Sequence, residues 1–222
     1  MLSYTVGGYM RVIKFDDVSE KIQKRYSAES TQGNNLSCGG NIDFLEIKPG
    51  EKILDLGCGR GRETFQAAEL VGPIGSAYGL DLTQAMVDVA NKYASENGVK
   101  NTFFIKGSIE ALPYDEDTFD AIISSCVINH ARNKEAVYRE IYRVLKLGGR
   151  FVISDAVTKS PLPDEVKNDP EAWAQCFGGA VTEEEYMTSI VKAGFKDIKI
   201  LNRREYLKNS YDFISLTILG YK

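Results

Sequence analysis

Three glycines at every second position stand out among the residues of this chain that could take part in chemistry. Gly57, Gly59 and Gly61 follow an apolar run over 52–56 that is typical of a buried strand. Glycine permits positive φ and lacks the Cβ that would hold a ligand away, and the amides that open the following helix offer hydrogen-bond donors. A second apolar segment ends at Asp81, whose carboxylate is suited to accept hydrogen bonds from a ribose diol. Together these features predict a nucleoside site.

The spacing of the glycines distinguishes between kinds of nucleotide site. It is G-x-G-x-G, whereas the dinucleotide fingerprint is G-x-G-x-x-G, and Asp55 and Leu56 stand directly before the first glycine. This run resembles motif I of the class I S-adenosylmethionine-dependent methyltransferases, with Asp81 at the position of the family's ribose-binding acid. The alternatives are a nicotinamide site and a turn that serves only strand-to-helix packing.

The resemblance implies a fold, a cofactor and a set of contacts. The fold is α/β and Rossmann-like, a seven-stranded, mostly parallel sheet with helices on both faces, and the cofactor is S-adenosylmethionine. The segments over 107–114 and 115–123 also resemble methyltransferase segments, and the residues at Ser108 and Ile109 lie against the adenine in the family. The implied cofactor-binding residues are Asp55, Gly57, Gly59, Gly61, Asp81, Leu82, Ser108, Ile109 and Ser125.

Short β-branched or apolar runs alternate with longer amphipathic runs after residue 52, which is typical of a doubly wound parallel sheet. Thr83 and Thr182 are suited to cap the helices that follow them. The alternation predicts strands over 52–56, 76–81, 102–106, 119–125, 149–156, 196–202 and 213–220. It predicts helices over 61–71, 83–97, 133–146 and 182–193.

Two stretches interrupt this alternation and divide the chain. Residues 1–48 form an N-terminal segment, in which a short helix ending near Tyr26 precedes a polar, glycine-rich loop over 27–40 that could lie over the cofactor as a lid. Residues 49–222 form the predicted methyltransferase domain. An irregular insertion over 157–181 falls beside the carboxyl ends of the strands, where open α/β sheets bind ligands.

Four cysteines in a chain of this size are better read as thiols than as a disulfide framework. Cys126 follows the fourth predicted strand, at the rim where a sulfonium methyl would be presented, and Cys176 lies in the insertion beside the same rim. Cys58, inside the glycine turn, is predicted to be a small buried hydrophobe. His130 is the only histidine, and a surface or capping role is predicted for it.

The segments around these thiols resemble those of the arsenite S-adenosylmethionine methyltransferases, and the likeness spans about residues 26–195. It is carried by the run Cys126-Val127-Ile128-Asn129 and by the run that ends Cys176-Phe177-Gly178-Gly179-Ala180. The resemblance implies that Cys126 and Cys176 bind trivalent arsenic and that Cys38 completes the site. Thiolates are natural ligands for a soft ion. The bound arsenic keeps a lone pair that can attack a sulfonium methyl, so no general base is required.

Composition excludes several classes of protein. The 222 residues carry a net charge of −4, with 43% hydrophobic and 26% charged residues, which is ordinary for a soluble globular domain with one sizeable core. The sequence holds no basic block of the kind that binds nucleic acid. It holds no apolar run long enough to cross a bilayer and no signal-peptide pattern, so the cytoplasm is the expected location. The expected partner is a small molecule or a metalloid, and the oligomeric state stays open.

The sequence therefore predicts an S-adenosylmethionine-dependent methyltransferase that acts on thiol-bound trivalent arsenic, with Cys126, Cys176 and Cys38 as its catalytic, arsenic-binding residues. Two alternatives remain. A methyltransferase acting on a carbon, oxygen or nitrogen atom of a small organic molecule would turn over independently of arsenite and of the cysteines. A protein that only binds a metalloid or the cofactor would form no S-adenosylhomocysteine.

Overall fold

The computed structural model describes residues 17–31 and 40–222, and before them only the backbone of two strands, β1 (Leu2–Val6) and β2 (Tyr9–Ile13). These two strands pair with each other in a separate antiparallel sheet. The sequence analysis predicted neither strand, because it found no regular pattern before residue 49. Cys38 lies outside the described residues, so its predicted role stays a prediction.

The main sheet has seven strands in the order β5-β4-β3-β6-β7-β9-β8. The five strands from β5 to β7 are parallel, and β9 runs antiparallel to both of its neighbours. The sheet therefore confirms the predicted Rossmann-like class. Its strands are β3 (Lys52–Leu56), β4 (Ser76–Asp81), β5 (Thr102–Lys106), β6 (Phe119–Ser125), β7 (Leu145–Thr158), β8 (Lys196–Lys208) and β9 (Tyr211–Tyr221).

Helices cover both faces of the sheet, because neighbouring residues of the central strands pack into opposite cores. Ile122 and Ile123 of β6 are both fully buried, one in each of two separate apolar clusters. The first cluster includes residues of α4 and α7, and the second includes residues of α2. The helices are α1 (Asp17–Glu29), α2 (Arg62–Val71), α3 (Gln84–Glu96), α4 (Lys134–Val144), α5 (Asp164–Lys167), α6 (Pro170–Ala174) and α7 (Glu183–Lys192). None of the helices in the described part of the chain could span a membrane.

The strand order creates the crevice in which the site lies. The chain winds from β3 outward through β4 to β5 and then returns to β6 on the other side of β3. At such a reversal the loops after the two adjacent strands separate, and the carboxyl ends of the strands border an open space. The residues that follow β3, β4, β5 and β6 all meet there.

The predicted boundaries of the first four main-sheet strands are correct to the residue, whereas the last three strands are longer than predicted. The antiparallel ladder between β8 and β9 continues to Lys208 and Tyr211, and β7 begins four residues earlier than predicted, where Leu145 pairs with Phe119 of β6. Two predictions of irregular backbone are wrong. Residues 27–29 belong to α1, and the insertion contains α5 and α6, the latter beginning at Pro170 with the Asp169 carboxylate accepting from the Glu171 amide at 2.9 Å.

The two predicted N-caps differ in their chemistry. Thr182 forms a capping box with Glu185 at the start of α7. Thr83 does stand at the N-cap of α3, but its side chain makes no capping hydrogen bond. Its backbone amide donates instead to the Asp81 carboxylate at 2.8 Å. The start of α3 is thereby joined to the carboxylate that lies in the site.

Candidate active site

A cavity of about 330 Å³ lies at the carboxyl ends of β3, β4, β5 and β6. The N-terminal helix α1 forms one of its walls through Val18, Ile22 and Tyr26. Residues 27–29 of the segment predicted as a lid belong to this helix, as does Tyr26, but residues 32–39 lie outside the described part of the chain, so the lid itself stays a prediction. Of the residues predicted to bind the cofactor, the cavity is lined by Gly57, Gly59, Asp81, Leu82, Ser108, Ile109 and Ser125, and Cys126 also lines it.

The glycine turn after β3 has the backbone geometry for which its sequence is suited. Gly57, Gly59 and Gly61 all have positive φ, at 69°, 53° and 85°. The Gly57 amide donates to the Leu80 carbonyl at 2.7 Å, which ties the turn to β4. A Cβ on Gly57 would lie 2.4 Å from the Val127 side chain, and one on Gly61 would lie 2.7 Å from Phe104. Two of the glycines are thus required by packing as well as by φ.

Substituting alanine for two of these glycines separates backbone strain from steric conflict. A Cβ on Gly59 would have no neighbour within 4 Å, whereas one on Gly57 would overlap Val127. We expect Gly59→Ala to lower the free energy of unfolding by about 1 kcal/mol through strain alone. We expect Gly57→Ala to lower it by roughly 2 to 4 kcal/mol, because overpacking adds to the same strain. Urea unfolding of both variants measures the difference, and equal losses would contradict the packing account.

Asp81 connects the glycine turn with the start of α3. One carboxylate oxygen accepts from the Gly59 amide at 2.9 Å and the other from the Thr83 amide at 2.8 Å. Burial raises the pKa of the Asp81 carboxyl, and the two backbone donors oppose that effect. A carboxylate fixed at the wall of the cavity by two amides can accept further hydrogen bonds from a diol, since each oxygen has a second lone pair.

Two of the predicted cofactor residues, Asp55 and Gly61, are not among the residues that line the cavity. Asp55 is buried beneath the glycine turn, where it accepts from the Thr64 hydroxyl at 2.7 Å. Burial raises the pKa of the Asp55 carboxyl to about 8, and the nearby Glu63 carboxylate adds to the rise. The contact of Asp55 and Gly61 with the cofactor stays a prediction. The buried position of Asp55 indicates that it stabilises the glycine turn from below.

A polar network behind Ser125 was not predicted from the sequence. The Ser125 hydroxyl donates to the Glu63 carboxylate at 2.7 Å and accepts from the Asn41 amide at 2.9 Å. Asn41 also donates to the Ser124 carbonyl at 2.8 Å. This network fixes the end of β6 and the start of α2 at the floor of the cavity. No local pattern marks Asn41, because its partners lie more than 80 residues away in the sequence.

The structure brings Cys176 of the insertion against Cys126 of the rim. The Cys176 thiol donates to the Cys126 carbonyl, with 3.1 Å between sulfur and oxygen. Both residues have positive φ, 57° for Cys126 and 63° for Cys176, which is rare for residues other than glycine and asparagine. Strained backbone of this kind persists where the surroundings enforce it and is concentrated at functional sites. The predicted convergence of these two residues is therefore present.

The described cysteines differ in their state. Cys176 and Cys58 are free thiols, as predicted, but the prediction of a thiol is wrong for Cys126, which is in a disulfide bond. Burial raises the pKa of the Cys176 thiol to about 12, and the Asp155 carboxylate adds to the rise. Cys58 is buried among Phe104, Val87 and other apolar side chains, which confirms its predicted role as a small hydrophobe. A soft ligand at Cys176 would have to displace a proton from its sulfur.

Cations from three separate elements hold the turn that carries Cys176. Arg25 of α1 donates to the Ala174 carbonyl, and Lys208 at the end of β8 donates to the Gln175 carbonyl at 3.0 Å. The Lys134 ammonium at the start of α4 lies 5.2 Å from the centre of the Trp173 ring. Each of these charges also lowers the pKa of the Cys176 thiol, against the larger effect of burial. The turn is therefore anchored in a positively charged environment.

The prediction of a surface or capping role for His130 is wrong. Its imidazole lines the cavity, and its Nε2 atom lies 3.1 Å from the hydroxyl oxygen of Tyr26. Burial lowers the pKa of the imidazole to about 4, and the charges of Arg25 and Lys134 contribute. The side chain is therefore neutral at neutral pH. No local sequence pattern indicates this contact, because 104 residues separate the two partners.

The low pKa of His130 makes stability depend on pH. Because an unfolded histidine titrates near 6.5, the unfolded chain binds a proton at His130 between about pH 6.5 and pH 4, and the folded chain does not. The free energy of unfolding therefore falls as the pH is lowered through this range, by about 2 to 3 kcal/mol at pH 4.5. We expect the free energy of unfolding of His130→Gln to decrease less between pH 7 and pH 4.5, because glutamine does not titrate in this range. Urea unfolding at pH 7 and pH 4.5 tests this, and identical pH dependence in both proteins would contradict it.

Comparisons with known proteins agree with this geometry. The methyltransferase domain family matches residues 47–194. An arsenite methyltransferase of Halobacterium salinarum is 39% identical over 180 residues, which are 81% of this chain and 45% of the relative. A demethylmenaquinone methyltransferase of Lactococcus lactis is 33% identical over 138 residues, 62% of this chain and 55% of the relative. The chain spans about half the length of these curated relatives.

A solved structure extends the comparison to three dimensions. The structure of an arsenic(III) S-adenosylmethionine methyltransferase from Chlamydomonas reinhardtii superposes with a TM-score of 0.71 at 30% identity. The match covers 95% of this chain and 75% of that chain. The shared fold thus includes nearly all of the sequence.

Proposed function

Because the chain belongs to the class I S-adenosylmethionine-dependent methyltransferases, we propose that it transfers the donor's methyl group to trivalent arsenic held by its own thiols. The observation that carries this proposal is the contact between Cys176 and Cys126 at the rim of the cavity, where the Cys176 sulfur lies 3.1 Å from the Cys126 carbonyl oxygen. The arsenite methyltransferases among the relatives and the solved arsenic(III) enzyme support the choice of acceptor.

The residues of the cavity fit an adenosyl donor. Gly57 and Gly59 expose backbone without a Cβ, and the Asp81 carboxylate stands next to them, ready to accept from a ribose diol. Ile109 provides apolar surface for a purine ring, and Leu82 adds to it. When bound, S-adenosylmethionine supplies a methyl group on a positively charged sulfonium sulfur.

The acceptor side of the site holds the arsenic and needs no proton transfer during the methyl step. Trivalent arsenic is the substrate, and Cys126 and Cys176 would bind it as thiolates once Cys126 is reduced, with Cys38 as a third proposed ligand. The protons of the thiols leave with the ligands that arsenic gives up. The arsenic lone pair then forms the new bond to the methyl carbon, and the electrons of the broken carbon–sulfur bond remain on the donor sulfur. The positive charge moves to arsenic.

The chain contributes chiefly by positioning. The strained turns at Cys126 and Cys176 would restrict the two sulfur ligands, and α1, which forms one wall of the cavity, would limit the access of water. Holding two reactants at near-attack distance with water excluded is sufficient to give a large rate increase. Methylation of a small organic molecule is the second candidate, supported by the demethylmenaquinone methyltransferase among the relatives.

Arsenite-dependent formation of S-adenosylhomocysteine tests the proposal. The full chain is reduced, freed of excess reductant and incubated with S-adenosylmethionine, glutathione and a range of arsenite concentrations. We expect product release to rise with arsenite and to saturate. Release that is the same with and without arsenite would favour an organic acceptor, and tight donor binding without any release would favour a protein that only binds.

A further inference from the structure

His130 is a group in the cavity wall that arsenic methylation does not use as a base. It ends the 3₁₀ turn Ile128–His130, four residues after Cys126, and it faces the cavity together with Val127 and Ala131. The arsenic lone pair attacks without losing a proton, so the reaction requires no general base. An imidazole whose pKa is about 4 would also be a poor match to a base at neutral pH. Its presence in the wall therefore calls for another role.

The His130 ring joins the turn after β6 to the helix that covers the cavity. Its Nε2 atom lies 3.1 Å from the Tyr26 oxygen, and the two rings meet edge to face with 5.5 Å between centroids and 87° between planes. The other ring nitrogen, Nδ1, is buried and has no hydrogen-bond partner in the part of the chain that is described. The Trp173 backbone also acts on the ring by favouring its protonated form, so Tyr26 is the side chain, among those described, whose hydrogen bond orients the imidazole.

The protonation states of the two groups suit a cationic ligand. The positive charges of Arg25 on α1, Lys134 on α4 and Lys208 on β8 each disfavour the protonated form of the imidazole. Burial raises the pKa of the Tyr26 phenol, so it keeps its proton. A neutral pair adds no positive charge beside a sulfonium. It also leaves the phenol oxygen with at least one lone pair that His130 does not occupy.

We propose that His130 is a positioning residue, which holds the Tyr26 hydroxyl at the cavity wall so that its oxygen recognises the positively polarised methyl group of the donor. The inference rests on the proposed donor site and deepens it, because it assigns recognition of the methyl group to a pair of side chains. Contacts between an oxygen and a polarised C–H group are individually weak, so their value depends on an oxygen that is already fixed in place. The hydrogen bond from His130 provides that fixation.

Calorimetric titration with two ligands that differ by the methyl group tests the proposal. S-adenosylmethionine and S-adenosylhomocysteine are each titrated into the wild type and into Tyr26→Phe, His130→Leu and His130→Gln. We expect Tyr26→Phe and His130→Leu to weaken S-adenosylmethionine by about two- to fivefold more than S-adenosylhomocysteine. In His130→Gln the amide can still form a hydrogen bond with the phenol, so this variant should keep most of the wild-type preference for S-adenosylmethionine over S-adenosylhomocysteine. Tyr93→Phe, which removes the hydroxyl of a half-exposed ring on α3, is the matched control and should behave as the wild type.

The outcomes separate this inference from the proposed function. Equal weakening of both ligands, or none, in Tyr26→Phe and His130→Leu would overturn the positioning role, since a merely structural residue would not distinguish the methyl group. Because the two residues act through one hydrogen bond, the double variant should lose no more selectivity than either single variant, and additive losses would also overturn it. A wild-type protein that binds neither ligand would overturn the proposed donor site itself.

Discussion

Replacing Cys176 by serine is expected to abolish arsenite-dependent methylation while leaving the donor site intact. Serine has nearly the same shape, so the hydrogen bond to the Cys126 carbonyl and the strained turn can persist. A hydroxyl oxygen is a hard ligand that binds soft arsenic poorly. Without the second sulfur the acceptor is no longer held near the methyl group, and the loss of a near-attack arrangement is expected to reduce kcat/KM on the order of 100-fold or more.

The measurement is the rate of arsenite-dependent S-adenosylhomocysteine release, accompanied by calorimetric titration of S-adenosylhomocysteine. The affinity for that product should stay within about twofold of wild type, because Cys176 is not among the residues that line the donor cavity. Cys58→Ala is the matched control, since it removes a free thiol that packs in an apolar cluster. Full activity in Cys176→Ser, or an equal loss in Cys58→Ala, would refute the thiolate site.

Replacing Asp81 by alanine is expected to remove most of the donor affinity. The change deletes the carboxylate proposed to bind the ribose and also the two hydrogen bonds that fix the Gly59 and Thr83 amides. Hydrogen bonds to a charged group are each worth about 1.5 to 3 kcal/mol. The loss of the ribose contacts together with the loosened turn should weaken S-adenosylhomocysteine binding on the order of 100-fold.

Asp88→Ala is the control for charge, because this exposed carboxylate on α3 pairs with Gln84 and lies away from the cavity. It should bind the donor as the wild type does. Asp81→Asn should give an intermediate loss, since an amide keeps one acceptor oxygen but not the charge. If Asp81→Ala bound S-adenosylhomocysteine normally by calorimetry, the assignment of the cavity to an adenosyl ligand would fail.

The parts of the fold that were predictable are those whose physical cause is local. The strands from β3 to β6 are short, mainly apolar segments that end at a glycine or a polar residue, because a parallel sheet buries both faces of its central strands. The glycine turn and Asp81 follow from the same strands, and all of these were predicted with correct boundaries. The seven-stranded, mostly parallel sheet was implied by the resemblance to a known family, and the order of its strands was not predicted.

The parts of the site that were not predictable depend on contacts between distant segments. Arg25 reaches the Ala174 carbonyl 149 residues away, and Tyr26 reaches His130 across 104 residues. Nothing in the amphipathic pattern of α1 indicates which side chains it will meet. The positive φ of Cys126 and Cys176 was also not predictable from the sequence. Residues other than glycine and asparagine rarely adopt positive φ, and no sequence pattern marks the exceptions. These long-range features convert a common fold into a particular site.

Transfer of a labelled methyl group tests the central claim most directly. The reduced protein is incubated with arsenite, glutathione and S-adenosylmethionine carrying a ¹³C methyl group, and the arsenic species are separated and analysed by mass spectrometry. The account predicts labelled methylarsenic in the wild type and none in Cys176→Ser. Formation of S-adenosylhomocysteine with the label on another acceptor, and none on arsenic, would contradict it.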